Sequence, residues 1–143
     1  MLSLHKDMLF EILHYLSDQD LYNACQANKT FSELCKDDQF WEARAKLKYP
    51  KETIELKKLH NYKDYKTIYR WAPILFLKNL FPKQLGQKSL EKIYHLQELD
   101  LSNNQLTTIP RELENLKELK YLYLYENPLK FIPDNIPCIR IYK

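Results

Sequence analysis

The sequence predicts an α+β chain, a helical N-terminal half followed by a short solenoid whose coils lay down a small parallel sheet. Two patterns predict it. Before position 50, apolar residues recur at helical spacing behind polar start signals. From Leu96 onward, a leucine pattern returns 23 residues later. A hydrophobic content of 45% is enough for a packed core and argues against disorder.

Residues 4–48 read as four short helices. Asp7 precedes Met8, Leu9, Ile12, Leu13 and Leu16, which form one apolar stripe. Ser17 opens a second helix, with Asp20 three residues on as in a capping box, and an inward face of Leu21, Ala24, Cys25 and Ala27. Asn28 can cap a third helix bearing Phe31, Leu34 and Cys35. Asp37 can cap a fourth, carrying Phe40, Trp41 and Leu47 and ending before Tyr49-Pro50. Residues 51–95 are rich in lysine and tyrosine and also read as helical. Tyr62, Tyr65, Ile68, Tyr69 and Ala72 share one face, and Pro73 and Pro82 punctuate the stretch. Its lysines alternate with Glu52, Glu55 and Asp64, the pattern of a solvated helix face.

In the repeat, Leu96, Leu99, Leu101, Asn104, Leu106, Ile109, Pro110, Leu113 and Leu116 form one unit. Adding 23 gives Leu119, Leu122, Leu124, Asn127, Leu129, Ile132, Pro133, Ile136 and Ile139. This is the leucine-rich-repeat signature L-x-x-L-x-L-x-x-N-x-L. Strands are expected at Leu99–Ser102 and Leu122–Tyr125, with a foreshortened third in Cys138–Tyr142 after a return marked by Pro137. Asn104 and Asn127 should turn inward and satisfy backbone groups of adjacent coils. Side chains between the leucines point outward: Glu98, Asp100 and Ser102, then Tyr121, Tyr123 and Tyr125, then Arg140 and Tyr142. Of these, Glu98, Asp100, Tyr121, Tyr123, Tyr125 and Arg140 are the candidate substrate-binding set, because alternating tyrosines make an amphipathic surface of the kind enriched in interfaces. So few coils cannot bury their own ends. The helices of residues 62–95 are therefore expected to cap them. The domain divisions are 1–50, a linker and cap at 51–95, and repeats at 96–143 (units 96–118 and 119–141, with a terminal strand near 138–142).

The first module resembles the F-box. Leu4-His5-Lys6-Asp7-Met8-Leu9-Phe10-Glu11-Ile12-Leu13-His14-Tyr15-Leu16 is similar to the family's opening L-P-x-E-[IVL]-L-x-x-I-[LF]-x-x-L. Asp20-Leu21, Ala24, Ala27, Lys29, Phe31, Leu34, Asp37, Asp38, Phe40 and Trp41 follow its spacing without a gap. His5 stands where the family usually has proline, and Ala24 and Ala27 where it often has larger aliphatics. The resemblance implies docking on the Skp adaptor of a cullin-RING (SCF) ubiquitin ligase. Leu4, His5, Met8, Leu9, Ile12, Leu16, Leu21, Ala24 and Trp41 would form the adaptor contact. The repeats would capture a protein substrate whose identity the sequence does not carry. The receptor does no chemistry and raises the local concentration of substrate lysines at the ligase. The alternative is a binding module or decoy that occupies the adaptor without promoting ubiquitin transfer.

Several classes are disfavoured. The single glycine, Gly86, rules out phosphate loops, dinucleotide fingerprints and the nucleophile elbow. His5, His14, His60 and His95 are scattered, so no catalytic, metal or cofactor site is expected. A net charge of +3 is too mild to imply nucleic acid or membrane. No signal peptide or apolar run of about 20 residues is present. Cys25, Cys35 and Cys138 make an odd count without metal spacing and read as buried thiols in a reducing compartment. The expectation is a cytoplasmic or nuclear protein, monomeric outside its complex. It would act in a host cell if a virus or parasite encodes it.

Overall fold

The computed structural model describes residues 2–134, 136, 138 and 140–143, with side chains from Met8 onward. In chain order come α1 (Leu2–His14), α2 (Asp18–Ala27), α3 (Lys29–Leu34), α4 (Asp38–Lys48), α5 (Pro50–Leu59), α6 (Tyr65–Leu80), α7 (Pro82–Leu85) and α8 (Leu90–Tyr94). They are followed by β1 (Glu98–Asp100), a 3-10 turn (Arg111–Asn115), β2 (Tyr121–Tyr123) and β3 (Arg140–Tyr142). The chain divides into two compact units, residues 1–72 and 73–143. The 51–95 stretch thus contributes to both. The part of the expected cap that shares a unit with the repeats begins at Pro73, not at Tyr62.

The caps of unit 1 follow the sequence. Ser17 Oγ accepts from the Asp20 amide, Asn28 Oδ1 from Phe31 and Asp37 Oδ1 from Gln39, each satisfying an N–H that has no partner in its helix. Helix α1 starts upstream of the expected point, so Asp7 lies inside it and does not cap it. The core gathers Leu13, Leu21, Leu34, Cys35 and Phe40, with Leu9, Phe10, Leu16, Ala24, Cys25, Phe31 and Trp41 packed against it. His14 stacks on Phe40 at 4.8 Å, and Trp41 meets Phe40 edge-on at 5.2 Å. Two expected core positions are exposed. Ala27 is the last residue of α2. Leu47 is 65% exposed, because the buried line of α4 runs through Trp41, Arg44 and Ala45 and leaves it at the edge.

The cysteine reading needs correction. Cys25 and Cys35 form a disulfide, with Cα atoms 6.0 Å apart, and Cys138 stays free. The turn at Asn28 folds α3 back on α2 and brings the two together. The odd cysteine count concealed the pair.

Pro73 also departs from expectation. It lies inside α6 rather than ending it. A mid-helix proline costs roughly 3 kcal/mol or more through the lost N–H and the clash with the carbonyl four residues back. Ala72, Ile74, Leu75 and Leu77, all at or below 1% exposure, bury enough apolar surface to offset that. Pro82 behaves as expected at the start of α7. Tyr62 precedes α6 and does not share its face.

In unit 2 the repeat extends further back than Leu96. Leu90 of α8, Leu113 of the 3-10 turn and Ile136 occupy the same place in successive 23-residue coils, and all three are buried. The strands form one parallel sheet in the order β1-β2-β3. Its rows are Glu98–Tyr121–Arg140, Leu99–Leu122–Ile141 and Asp100–Tyr123–Tyr142. Each strand is shorter than expected, because after three residues the chain turns. Asn103 (φ 58°) and Glu126 (φ 56°) are left-handed at equivalent positions of the two coils. Ile139 and Pro137, expected as a repeat landmark and as the mark of the return, lie outside the described residues.

Candidate functional site

Two surfaces bear on function. The first is the outer side of α1, where the apolar stripe splits into two rows. Leu9, Leu13 and Leu16 turn toward the core. Met8 and Ile12, each 55% exposed, and Tyr15, 91% exposed, lie along the row one residue over. Tyr22 on α2 is a further exposed aromatic.

A buried arginine fixes the end of this helix. Arg44 is fully buried, and its guanidinium donates to the carbonyls of Leu13 (3.0 Å), His14 (3.4 Å) and Leu16 (2.8 Å), to Asp18 Oδ1 (2.9 Å) and to the Tyr69 hydroxyl (3.1 Å). The three carbonyls belong to the end of α1 and the turn after it, where the regular helical donors run out. The Leu13 carbonyl also accepts from the Leu16 amide at 3.2 Å. Tyr69 also donates to Asp18. Burial pulls the Asp18 carboxyl up, but the Tyr69 hydroxyl and the Arg44 guanidinium outweigh it and hold it below the usual range. Burial, with the Asp18 charge beside it, pushes the Tyr69 phenol well above its ordinary value. Burial and then the Arg44 charge lower the His14 imidazole.

The second surface is the solvent face of the sheet. Leu99 and Leu122 point inward while Glu98, Asp100, Tyr121 and Tyr123 point out. Tyr142 stacks on Tyr123 (4.8 Å between centroids, 7° between planes), and Tyr125 leans on both at 6.4 and 6.5 Å. The face is polarised, with carboxylates on β1, aromatic rings along β2 and Arg140 on β3. The Tyr123 phenol is raised by desolvation and then by the Glu98 charge. Arg140 is raised by its hydrogen bond to Tyr142. The Ser102 hydroxyl, and then its amide, donate to the Asp100 carboxylate and lower that carboxyl.

The F-box-like family matches residues 3–45, and the leucine-rich-repeat family matches residues 74–129. The chain is an F-box-like domain followed by leucine-rich repeats. A 45-residue stretch is 49% identical to the mouse protein flightless-1 homolog, covering 32% of this chain and 4% of that protein. The chain therefore spans a small fraction of that relative's length. No solved structure matches. The pairing of the two modules supports a role in protein–protein interaction.

Within the F-box-like domain, the expected adaptor set separates. Met8 and Ile12 are presented to solvent. Leu9, Leu16, Ala24 and Trp41 are half-buried against the core, Trp41 donating through Nε1 to the Cys35 carbonyl. Leu21, only 2% exposed, is a core residue and not a contact. The side chains of Leu4 and His5 lie outside the described residues. Sequence reasoning passed over Tyr15, although its spacing of seven from Met8 and three from Ile12 extends the outer row. It also passed over Arg44, whose phase between Trp41 and Ala45 on a buried helix face was the available signal. In the repeats, the six expected residues do share one face, and Tyr142 joins them through its stack on Tyr123.

Proposed function

We propose that this chain is a substrate receptor of an SCF-type ubiquitin ligase. The F-box-like domain would dock on a Skp-type adaptor and the sheet face of the repeats would hold a protein substrate. The observation that carries this reading is the row of Met8, Ile12 and Tyr15, exposed on the first helix of an F-box-like domain whose inner row already fills the core. Solvent-facing apolar residues in a row are unfavourable for an isolated module and suit a partner surface. The receptor itself performs no chemistry.

Ile12→Asp tests the adaptor half. Because Ile12 is 55% exposed, the substitution is expected to leave the helical content unchanged. An unpaired carboxylate in a desolvated contact should weaken adaptor binding by at least about tenfold. The check is a pull-down and titration with purified adaptor beside circular dichroism. A folded variant that binds as tightly as the parent removes α1 from the contact. The substrate half is tested by the triple change Tyr121→Ser, Tyr123→Ser and Tyr125→Ser. The inward leucines hold the coil, so the chain should stay folded and keep the adaptor. Captured partners other than the adaptor should be lost, each anchor contributing roughly 1–2 kcal/mol. Quantitative co-purification reads the result, with adaptor recovery as the internal control.

A further inference from the structure

Resting on the reading of the sheet face as the substrate surface, we propose that it recognises an arginine side chain of the bound segment, seated between β1 and the Tyr123 ring. Tyr142 covers one face of that ring. Since β3 and β1 lie on opposite sides of β2, the other ring face turns toward β1. It opens into a depression lined by Glu98, Leu99, Asp100 and Tyr123. One wall is the Tyr123 ring, and two carboxylates stand along the strand roughly 7 Å apart, the spacing of alternate residues.

Those carboxylates lack a cation of their own. Glu98 has no hydrogen-bond or ion-pair partner among the described residues. Asp100 accepts from the hydroxyl and the amide of Ser102, both neutral donors. Arg140 shares a row with Glu98, but Tyr121 stands between them and its hydrogen bond goes to Tyr142. An open ring face beside two unneutralised carboxylates, in a chain of net charge +3, is complementary to a cation that is also flat. A guanidinium meets both requirements. Its plane can lie on the tyrosine ring while its edge N–H groups reach the carboxylates. An ammonium is a compact, strongly hydrated charge and cannot do both at once. The carboxylates alone would make only a solvated acidic spot. The open ring face beside them turns it into a seat with one shape.

The experiment uses the full chain, labelled for NMR on its amides and tyrosine rings, titrated with Nα-acetyl-arginine amide. The citrulline analogue has the same shape without the charge. The expected result is a saturable shift confined to the Tyr123 ring and the amides around Glu98–Asp100. Citrulline should bind at least about tenfold more weakly, and Nα-acetyl-lysine amide should also bind more weakly than arginine. In the double variant E98Q/D100N the shift should disappear. Asparagine at 100 keeps an oxygen for the Ser102 amide, so the local turn is preserved. Equal binding of citrulline or lysine, shifts centred elsewhere, or no saturable shift would each overturn the arginine site. The tyrosine triple variant separates this from the underlying reading. If a partner is lost in that variant but retained by E98Q/D100N, the face binds and the arginine seat is refuted. If both variants retain it, the face itself is idle.

Discussion

Arg44→Met is expected to destabilise the F-box-like domain by at least about 3 kcal/mol, because methionine fills the volume and supplies no donor. The carbonyls of Leu13, His14 and Leu16 would lose the Arg44 donor, and Asp18 its cation. Arg44→Lys should recover little, since one ammonium cannot serve acceptors that converge on a planar fork. Urea unfolding followed by tryptophan fluorescence reads the loss, as Trp41 sits against the same core. Adaptor binding should fall in parallel, because the row of Met8 and Ile12 belongs to the helix whose end Arg44 secures. A midpoint unchanged from the parent would mean that water serves these carbonyls equally well. The same cluster gives stability a pH dependence. Asp18 titrates lower in the folded chain than in the unfolded one, so its contribution is complete above the unfolded carboxyl value of about 4 and is lost as the pH falls through the folded value. Asp18→Asn should flatten that acid limb.

Asn127→Leu is expected to be the most damaging single change in the repeats, and far worse than Asn104→Leu. The Asn127 carboxamide oxygen accepts from the amides of Asn104 (2.9 Å) and Leu106 (3.1 Å), and its nitrogen donates to the carbonyls of Leu101 (2.9 Å) and Leu124 (3.0 Å). Leucine would leave four backbone groups without partners, for a loss of roughly 3 kcal/mol or more. Among the described residues the Asn104 side chain donates to the nearby Ser102 carbonyl alone, so its replacement should cost about 1 kcal/mol. Chemical denaturation of both variants gives the comparison. Equal losses would mean that the clamp is not shared between coils as drawn.

The two asparagines show where the sequence stops being informative. Their position in the pattern marked both as inward hydrogen bonders. What separates them is the neighbour on one side, since the coil before Asn104 is helical and offers no matching turn. The caps at Ser17, Asn28 and Asp37 were legible because each depends on residues within three positions. The rows of the sheet were legible because a fixed 23-residue period sets the register. Arg44 was not, since its acceptors lie about thirty residues upstream. Nor was the run of α6 through Pro73, where burial of the flanking residues overrides a local breaker. Leu21 was misread because the adaptor and the core both ask for an aliphatic residue there. Only packing shows which of them takes it.

The Asn127 clamp has a consequence for synthesis. It reaches backward: the second coil completes the first, and the first offers no equivalent service in return. A ribosome releases the leucines of coil one before the amide that will finish it. The interval is the 23 residues between Asn104 and Asn127, roughly 1–5 s at about 5–20 residues per second. For that time Leu99, Leu101 and Leu106 are out of the tunnel, or queued in it, without the turn that will seat them. A nascent chain with coil one emerged and Asn127 still inside the tunnel should therefore be a chaperone client, and one in which Asn127 has also emerged should begin to close.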